Sequence, residues 1–209
     1  MTFKRNRAFT IIMISACIVL AFIAVVFLRF RGGMRIKPSF DIAPDTDIIC
    51  YRQDDSRWAD EHLGNSKYTL ESSGCLVSCI ASALSMEYGI EETPSTLNAR
   101  LSSDGVYDSE GNIQWEGLRQ ATGYQVDLPS DISSNMIDSY LSRGIYPIVR
   151  VRMYALGNVH YVLIVEAENG RYRCMDPLKD ELTDLADYGN RIYAVRCVTI
   201  IKNFLSKIG

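Results

Sequence analysis

Residues 72–89, SSGCLVSCIASALSMEYG, decide the fold of this chain. Between Cys75 and Tyr88 the apolar residues form two separate stripes at helical spacing, which predicts a helix that is buried on several sides. Ser72 or Ser73 can cap the start of this helix, and Gly89 can end it. A helix buried in this way is expected at the centre of a domain, with other elements packed around it.

Shorter helices and then a group of strands follow the buried helix. The helix signals, which include Thr93-Pro94 as a capped start and glycines as stops, cover Thr93–Leu101, Gln114–Thr122 and Ser133–Arg143. The pattern then changes to alternating or continuously apolar runs, which predict strands over Pro147–Met153, Val159–Val165, Arg171–Met175 and Ile192–Ile201. Helices followed by an antiparallel sheet predict an α+β domain.

The hairpin between the second and third of these strands leaves two registers open. A two-residue turn, Asn169-Gly170, places Asp176 and His160 on opposite faces of the sheet. A three-residue loop, 168–170, places them on the same face, where cross-strand diagonal neighbours are within reach of each other. A glycine at the end of the turn favours the three-residue loop, which is therefore the predicted register.

The start of the chain has a different character. Residues 8–28 contain no charge and no proline, and at 1.5 Å per residue they span about 31 Å, close to the thickness of the hydrocarbon core of a bilayer. We predict an uncleaved transmembrane helix; a cleaved signal peptide and lipidation at Cys17 are the alternatives. The predicted organisation is a flank over residues 1–7, the transmembrane helix over 8–28, a tether over 29–47 and a domain over 48–209.

Charge is distributed unevenly along the chain. Of the 22 basic residues, seven lie in residues 1–37, which leaves 15 against all 25 acidic residues and a net charge of −10 in residues 38–209. Nucleic-acid binding needs clustered Lys and Arg, so no nucleic-acid partner is expected. The two flanks of the apolar stretch carry similar positive charge, so charge does not decide the orientation in a membrane.

Four residues are candidates for catalysis. Cys75 opens the buried helix, where the helix dipole stabilises a thiolate; the alternative is a buried structural cysteine. His160 opens an apolar strand and is either a general base or a core histidine, and Asp176 is either its partner or a simple turn residue. Gln53 can donate to an oxyanion through its side-chain amide.

Other residues are assigned by the same reasoning. Gly74 allows a substrate backbone to approach closely, and Trp115 is the second candidate for a substrate contact. His62 lies in a polar loop and is expected to have no role. Cys75 and Cys79 are too few ligands for zinc, so we predict neither a metal nor a cofactor.

In this order of residues the chain resembles a known family, the papain-like cysteine peptidases of family thirty-nine, which cut double-glycine leaders from bacteriocin precursors. It is most similar to the free-standing thirty-nine-like domains of Gram-positive bacteria, since the sequence contains no glycine-rich phosphate loop of an ATP-binding cassette. The resemblance covers about residues 48–200 and rests on Tyr51-Arg52-Gln53-Asp54 with Arg57-Trp58-Ala59, Ser73-Gly74-Cys75, Thr93-Pro94 with Leu97, Gly144–Val149, His160–Leu163 and Asp176-Pro177.

The resemblance implies a papain-like fold in which a Cys-His-Asp triad cleaves a peptide or amide bond. It implies Cys75 as nucleophile, His160 as general base, Asp176 as the residue that orients it and Gln53 as oxyanion donor. Leu76 departs from the pattern, because a smaller residue often follows the cysteine. A non-catalytic module that binds peptide or cell-wall material, and a cell-wall amidase, remain alternative functions.

The expected location is the cell membrane, crossed once by residues 8–28, with the domain outside the cytoplasm and a peptide or protein as substrate. The family resemblance supports the outward orientation, and so does the number of cysteines beyond the anchor. Cys174 and Cys197 both lie in predicted strands, and we predict a disulfide between them, which would belong in an oxidising compartment.

Overall fold

The computed structural model describes residues 2–154 and 157–200, and the chain divides into two compact units after Gly33. The first unit contains a single helix. The described residues of the second contain five α-helices, most of which precede an antiparallel sheet along the chain. The predicted α+β class is therefore confirmed.

Helix α1, Thr2–Phe30, is the helix of the first unit. Its segment Phe9–Phe30 has a mean hydropathy of 3.2 over its most apolar window, and the side chains of that window are exposed. At 1.5 Å per residue these 22 residues span about 33 Å, which is long enough to cross a membrane. A signal sequence at an N-terminus has the same length and composition.

Helix α3, Cys75–Tyr88, has the bounds that the sequence predicts and lies at the centre of the second unit. All ten residues from Val77 to Met86 are buried, and Gly89 ends the helix in the left-handed conformation. The other helices of this unit are α2, Leu70–Ser73; α4, Pro94–Ser103; α5, Trp115–Thr122; and α6, Ser134–Leu141. The last of these ends two residues before the predicted Arg143.

The prediction that Ser72 or Ser73 caps α3 is wrong, because both residues belong to the preceding short helix α2. Thr69 caps α2 by accepting from the Ser72 N–H, and Gly74 joins α2 to α3. A Cβ atom on Gly74 would lie only 2.5 Å from the Leu70 carbonyl oxygen, so the joint has room only for glycine.

The six-stranded sheet has the order β2-β8-β3-β4-β5-β6, with antiparallel pairing throughout. Its strands are β2, Gln125–Asp127; β3, Ile148–Arg152; β4, Val159–Glu168; β5, Arg171–Met175; β6, Thr183–Asp184; and β8, Ala194–Thr199. Strand β4 is in the interior of the sheet, as its apolar sequence predicts. Helix α3 packs against β3, β4 and β8.

A second, two-stranded sheet pairs β1, Met34–Arg35, with β7, Arg191–Ile192. Ile36 is 3% exposed, and Ile42 pairs with Ala167 at the end of β4. The predicted tether over 29–47 is therefore shorter than expected, because residues 34–42 pack on the domain. Likewise, the strand predicted over 192–201 is broken at Tyr193, and Ile201 lies outside the described residues.

The predicted disulfide between Cys174 and Cys197 is wrong, because both residues are buried free cysteines. Cys174 lies in β5 and Cys197 in β8, with β3 and β4 between them. Neighbouring strands are about 4.8 Å apart, so the two thiols are separated by about 14 Å. A disulfide needs Cα atoms less than about 7 Å apart.

Candidate active site

Cys75 is the first residue of α3 and is partly exposed, whereas the residues after Leu76 are buried. The first hydrogen bond along the helix here is from the Ser78 N–H to the Gly74 carbonyl oxygen, at 2.9 Å. The first-turn N–H groups before it have no acceptor within the helix, and the positive end of the helix dipole lies at the sulfur. A thiol at the start of a helix is in a position suited to a nucleophile.

Three further thiols of the domain lie in different surroundings. Burial raises the pKa of Cys79, Cys174 and Cys197, so these three remain protonated and unreactive near neutral pH. The Cys79 Sγ donates to the Tyr161 carbonyl oxygen at 3.6 Å. This contact joins α3 to β4 one helical turn beyond Cys75, and so it helps to hold the two elements in register.

His160 lies in β4 and is 4% exposed. Its Nε2 is 2.6 Å from Oδ1 of Asp176, which follows β5 and is 1% exposed. The His160 ring also interacts with the Cys75 side chain, and Nδ1 is the nitrogen left for that contact. The structure therefore brings these three predicted residues together at one place.

The predicted three-residue loop is wrong, but His160 and Asp176 still lie on the same face of the sheet. The turn is the two-residue Asn169-Gly170, with both residues at positive φ, and Glu168 pairs with Arg171. This register alone would place Asp176 on the face opposite His160. A β-bulge at Val165 shifts the pairing by one residue, so that His160 and Asp176 share a face.

Asp176 is held by donors from three segments of the chain. Oδ1 accepts from the His160 ring and from the Leu178 N–H at 2.9 Å, and Oδ2 accepts from the Tyr188 hydroxyl. Tyr188 ends the 3₁₀ helix Leu185–Tyr188 and is buried. The sequence analysis missed Tyr188, since nothing in its local pattern indicates a contact with Asp176, and no signal short of the tertiary structure would have found it.

The charges of this group stabilise one another. Burial disfavours the imidazolium of His160, but its hydrogen bonds to Asp176 and Cys75 outweigh burial, and the pKa of His160 is raised to about 9. Burial likewise opposes ionisation of Asp176, yet the His160 contact lowers the pKa of that carboxyl below its usual range. A protonated imidazole beside an ionised Asp176 is therefore the favoured state near neutral pH.

Gln53 lies in a loop beside the site and is 4% exposed. Its backbone N–H donates to the Pro177 carbonyl oxygen at 3.0 Å, directly after Asp176, and its Nε2 donates to the Glu71 carbonyl oxygen at 2.6 Å. A side-chain amide carries two N–H donors, so one remains for a ligand. Gln53 therefore links α2 to the turn that carries Asp176.

Two clefts meet at Cys75. The larger has a volume of about 600 Å³ and is lined by residues that include Gln53, Cys75 and His160. The smaller, of about 190 Å³, lies between Cys75 and Trp115. Ser73, Cys75 and Tyr161 line both clefts, so the thiol lies in a groove that continues on either side of it.

Three other residues were singled out in the sequence, namely Trp115, Gly74 and His62. Trp115 lines the smaller cleft, in a position to contact a ligand that passes Cys75. Gly74 is buried against Leu70 and lines neither cleft, so its role is to form the α2–α3 joint rather than to meet a substrate backbone. His62 is exposed, and its Nδ1 contacts the Ser66 carbonyl oxygen at 3.1 Å rather than a residue of the triad.

No cluster of three or more His, Cys, Asp or Glu side chains that could hold a metal ion occurs within residues 2–154 and 157–200. The arrangement that does occur joins a thiol at a helix start, a buried imidazole and a carboxylate in one groove, and this arrangement suits nucleophilic chemistry. Comparison with known proteins finds no family model that matches the sequence and no similar protein among the curated ones.

Proposed function

We propose that the domain is a papain-like cysteine hydrolase that cleaves a peptide or amide bond through Cys75, His160 and Asp176. The observation that carries the proposal is the 2.6 Å contact between His160 and Asp176 in a groove that contains the Cys75 thiol. A nucleophile with a base within reach, and a third group that orients the base, is the arrangement such hydrolases need.

In the acylation step, the Cys75 thiolate attacks the carbonyl carbon of the scissile bond and the C=O electrons move to oxygen. The second Nε2 hydrogen of Gln53 and the Cys75 backbone N–H stabilise this oxyanion. As the tetrahedral intermediate collapses, the C–N bond breaks and the His160 imidazolium gives its proton to the departing amine. The products are an acyl-thioester on Cys75 and the free amine.

In the deacylation step, neutral His160 takes a proton from water while the water oxygen attacks the thioester carbonyl. Collapse of the second intermediate breaks the C–S bond and releases a carboxylic acid. The thiolate and the imidazolium are regenerated together. Asp176 keeps the ring oriented throughout by accepting from Nε2.

The larger cleft supports a peptide as the substrate. Tyr154, Val159 and Leu178 line it, and their exposed fractions are 87%, 51% and 36%. Exposed apolar side chains of this size at the edge of a cleft suit the side chains of an extended peptide. A peptide or protein substrate that lies across Cys75 fits this surface better than a small polar molecule does.

The proposal includes attachment to the cell membrane. The apolar segment Phe9–Phe30 is long enough to cross it once, as an uncleaved anchor, with the domain on the outer side. The exposed apolar side chains of this helix support an environment of lipid. Extraction of the chain from membranes by detergent but not by carbonate tests the anchor, and protease access to the domain in intact cells tests its orientation.

The test of the chemistry needs no natural substrate. The full chain, solubilised in a neutral detergent, is treated with an activated ester such as p-nitrophenyl acetate. We expect a burst of one equivalent of p-nitrophenol and an acyl group on Cys75. Cys75→Ala and His160→Ala should abolish the burst, whereas Cys79→Ala serves as the matched control and should retain it. A burst that survives Cys75→Ala would refute the proposal.

A second candidate, a non-catalytic module with the same groove, is favoured by one observation. The Gln53 amide already donates to the Glu71 carbonyl oxygen, and if this contact holds the remaining N–H away from the thiol, the oxyanion loses a donor. Iodoacetamide labelling at neutral pH separates the two functions. A reactive Cys75 supports the hydrolase, and an inert one supports the binding module. Digestion of muropeptides tests the remaining alternative, a cell-wall amidase.

A further inference from the structure

Two arginines lie side by side on one face of the sheet. Arg150 of β3 pairs with Tyr161 of β4, and Arg196 of β8 pairs with Ile148, two residues before Arg150 on the same face. Both arginines are half-buried. We refer to Arg150 and Arg196 as the arginine pair. The arginine pair lies on the face of the sheet opposite to His160 and Asp176, because side chains alternate along β4.

Among the described residues, the arginine pair has no acidic partner. None of the ion pairs formed within residues 2–154 and 157–200 includes Arg150 or Arg196. Arg150 donates to the Tyr193 carbonyl oxygen at 3.4 Å, and Arg196 donates to the Val195 carbonyl oxygen at 2.7 Å. The Arg196 Nε is buried and has no hydrogen-bond partner among the described residues.

This lack of a counter-charge is unexpected in its surroundings. Residues 38–209 carry 25 acidic and 15 basic side chains, so carboxylates are abundant. Burial lowers the pKa of Arg196; the nearby Tyr161 hydroxyl raises this pKa, and the charge of Arg150 lowers it. An uncompensated pair of half-buried cations is costly unless an anion completes it.

Two aromatic side chains connect the arginine pair to the proposed active site. The Arg196 Cζ lies 5.5 Å from the centre of the Trp115 ring, and Arg150 lies beside Tyr161. Trp115 and Tyr161 both line the smaller cleft, which Cys75 also lines. Trp115 and Tyr161 therefore border both the cleft at Cys75 and the arginine pair.

We propose that the arginine pair binds a carboxylate of an acidic peptide that extends from Cys75 past Trp115 and Tyr161. The inference rests on the proposed function, because it assumes that the groove at Cys75 holds a peptide. Guanidinium groups bind carboxylates through paired, charge-assisted hydrogen bonds, and neither arginine of the pair is in an ion pair among the described residues. The substrate class is then a peptide with an acidic residue on one side of the scissile bond.

The test measures binding rather than cleavage. Cys75→Ala full-length protein in dodecyl maltoside micelles is titrated against fluorescein-labelled pentaglutamate, and anisotropy reports binding at an ionic strength of about 50 mM. We expect pentaglutamate to bind at least tenfold more tightly than pentaglutamine. The contrast should shrink as salt is raised, because the attraction is electrostatic. Equal binding of the two peptides would overturn the inference without any further variant.

Substitutions then locate the site. Arg150→Gln with Arg196→Gln should weaken pentaglutamate binding at least tenfold, whereas Arg143→Gln, at an exposed arginine after α6, should change it less than twofold. Arg150→Lys with Arg196→Lys keeps both charges and serves as the control for misfolding of the glutamine variant. The lysine variant should bind pentaglutamate more tightly than the glutamine variant does. Unchanged binding of pentaglutamate in the glutamine variant would overturn the inference. Displacement of pentaglutamate by inorganic phosphate, added at the same concentration of negative charge as the peptide, would overturn it too.

Failure of the acidic-peptide site can be distinguished from failure of the proposed hydrolase function. If Cys75 of the wild-type chain proves inert to esters and to iodoacetamide while pentaglutamate still binds at the arginine pair, the hydrolase proposal fails and the acidic-peptide site stands. If Cys75 reacts but pentaglutamate neither binds nor slows its alkylation, the hydrolase stands and the acidic-peptide site fails.

Discussion

Nε2 of His160 lies 2.6 Å from Oδ1 of Asp176 although the two-residue turn between their strands would place them on opposite faces. The β-bulge at Val165 reconciles the two facts, because it adds one unpaired residue to β4 between the turn and His160. The bulge therefore sets which face of the sheet carries the imidazole.

This relationship predicts different results for two deletions of a buried valine. Deleting Val165 removes the unpaired residue, so His160 stays on the face of Asp176 and the ester burst should persist. Deleting Val162, on the other side of the bulge, turns His160 to the opposite face, and the burst should fall at least about a hundredfold. The two side chains are 1% and 0% exposed, so the lost burial is matched. Loss of the burst in both deletions would contradict this account of the bulge.

The second prediction concerns stability as a function of pH. The folded-state pKa of His160, about 9, is above its ordinary value of 6.5. The contacts of the imidazolium with Asp176 and Cys75 therefore contribute fully below about pH 6.5, and their joint contribution, at most about 3 kcal/mol, is lost as the pH rises through 9. The Tm of the wild type should fall more between pH 6 and pH 10 than that of His160→Gln. Parallel curves for the two proteins would show that these contacts add nothing.

The third prediction concerns Tyr188 as a positioning residue. Tyr188→Phe removes one donor from Asp176 and should lower the rate of Cys75 acylation about threefold to tenfold, with a shift in its pH profile because the Asp176–His160 contact is altered. Tyr172→Phe is the matched control, since Tyr172 is equally buried and donates to Asp138 at 2.6 Å instead. A purely structural role for Tyr188 would lower Tm without moving the pH profile.

The fourth prediction separates oxyanion stabilisation from nucleophile reactivity at Gln53. Alkylation of Cys75 by iodoacetamide forms no oxyanion, whereas acylation by an ester does. Gln53→Ala should therefore lower acylation about 10²-fold or more while the alkylation rate changes less than about threefold. An equal loss in both reactions would assign Gln53 to the support of α2, through its bond to the Glu71 carbonyl oxygen, rather than to the oxyanion.

The sequence predicted the elements with strong local signals. Helix α3 ends at Gly89 because glycine adopts the left-handed conformation there, and α4 begins after Thr93 because its hydroxyl accepts from the Thr96 N–H. Both contacts involve residues close in sequence. The same reasoning placed Cys75 at the start of a buried helix.

The errors concern contacts between distant residues. Strand β1 is only two residues long and is defined by pairing with Arg191–Ile192, more than 150 positions away. The bulge at Val165 leaves no mark in a run of apolar residues, so the sequence predicted the shared face of His160 and Asp176 through a three-residue loop that the structure does not contain. The predicted disulfide between Cys174 and Cys197 was wrong because the β-propensity of two strands does not indicate whether they are neighbours in the sheet.

The three donors that hold Asp176 also bear on when the chain becomes reactive during synthesis. Cys75 leaves the ribosome 85 positions before His160 and 113 before Tyr188. The thiol lacks its base and the carboxylate that orients this base until three elements have folded. These elements are β4, the loop at Leu178 and the 3₁₀ helix. On the proposed function, a nascent chain that has completed only its first helices is therefore inactive, and reactivity arises only with completion of the C-terminal half of the domain.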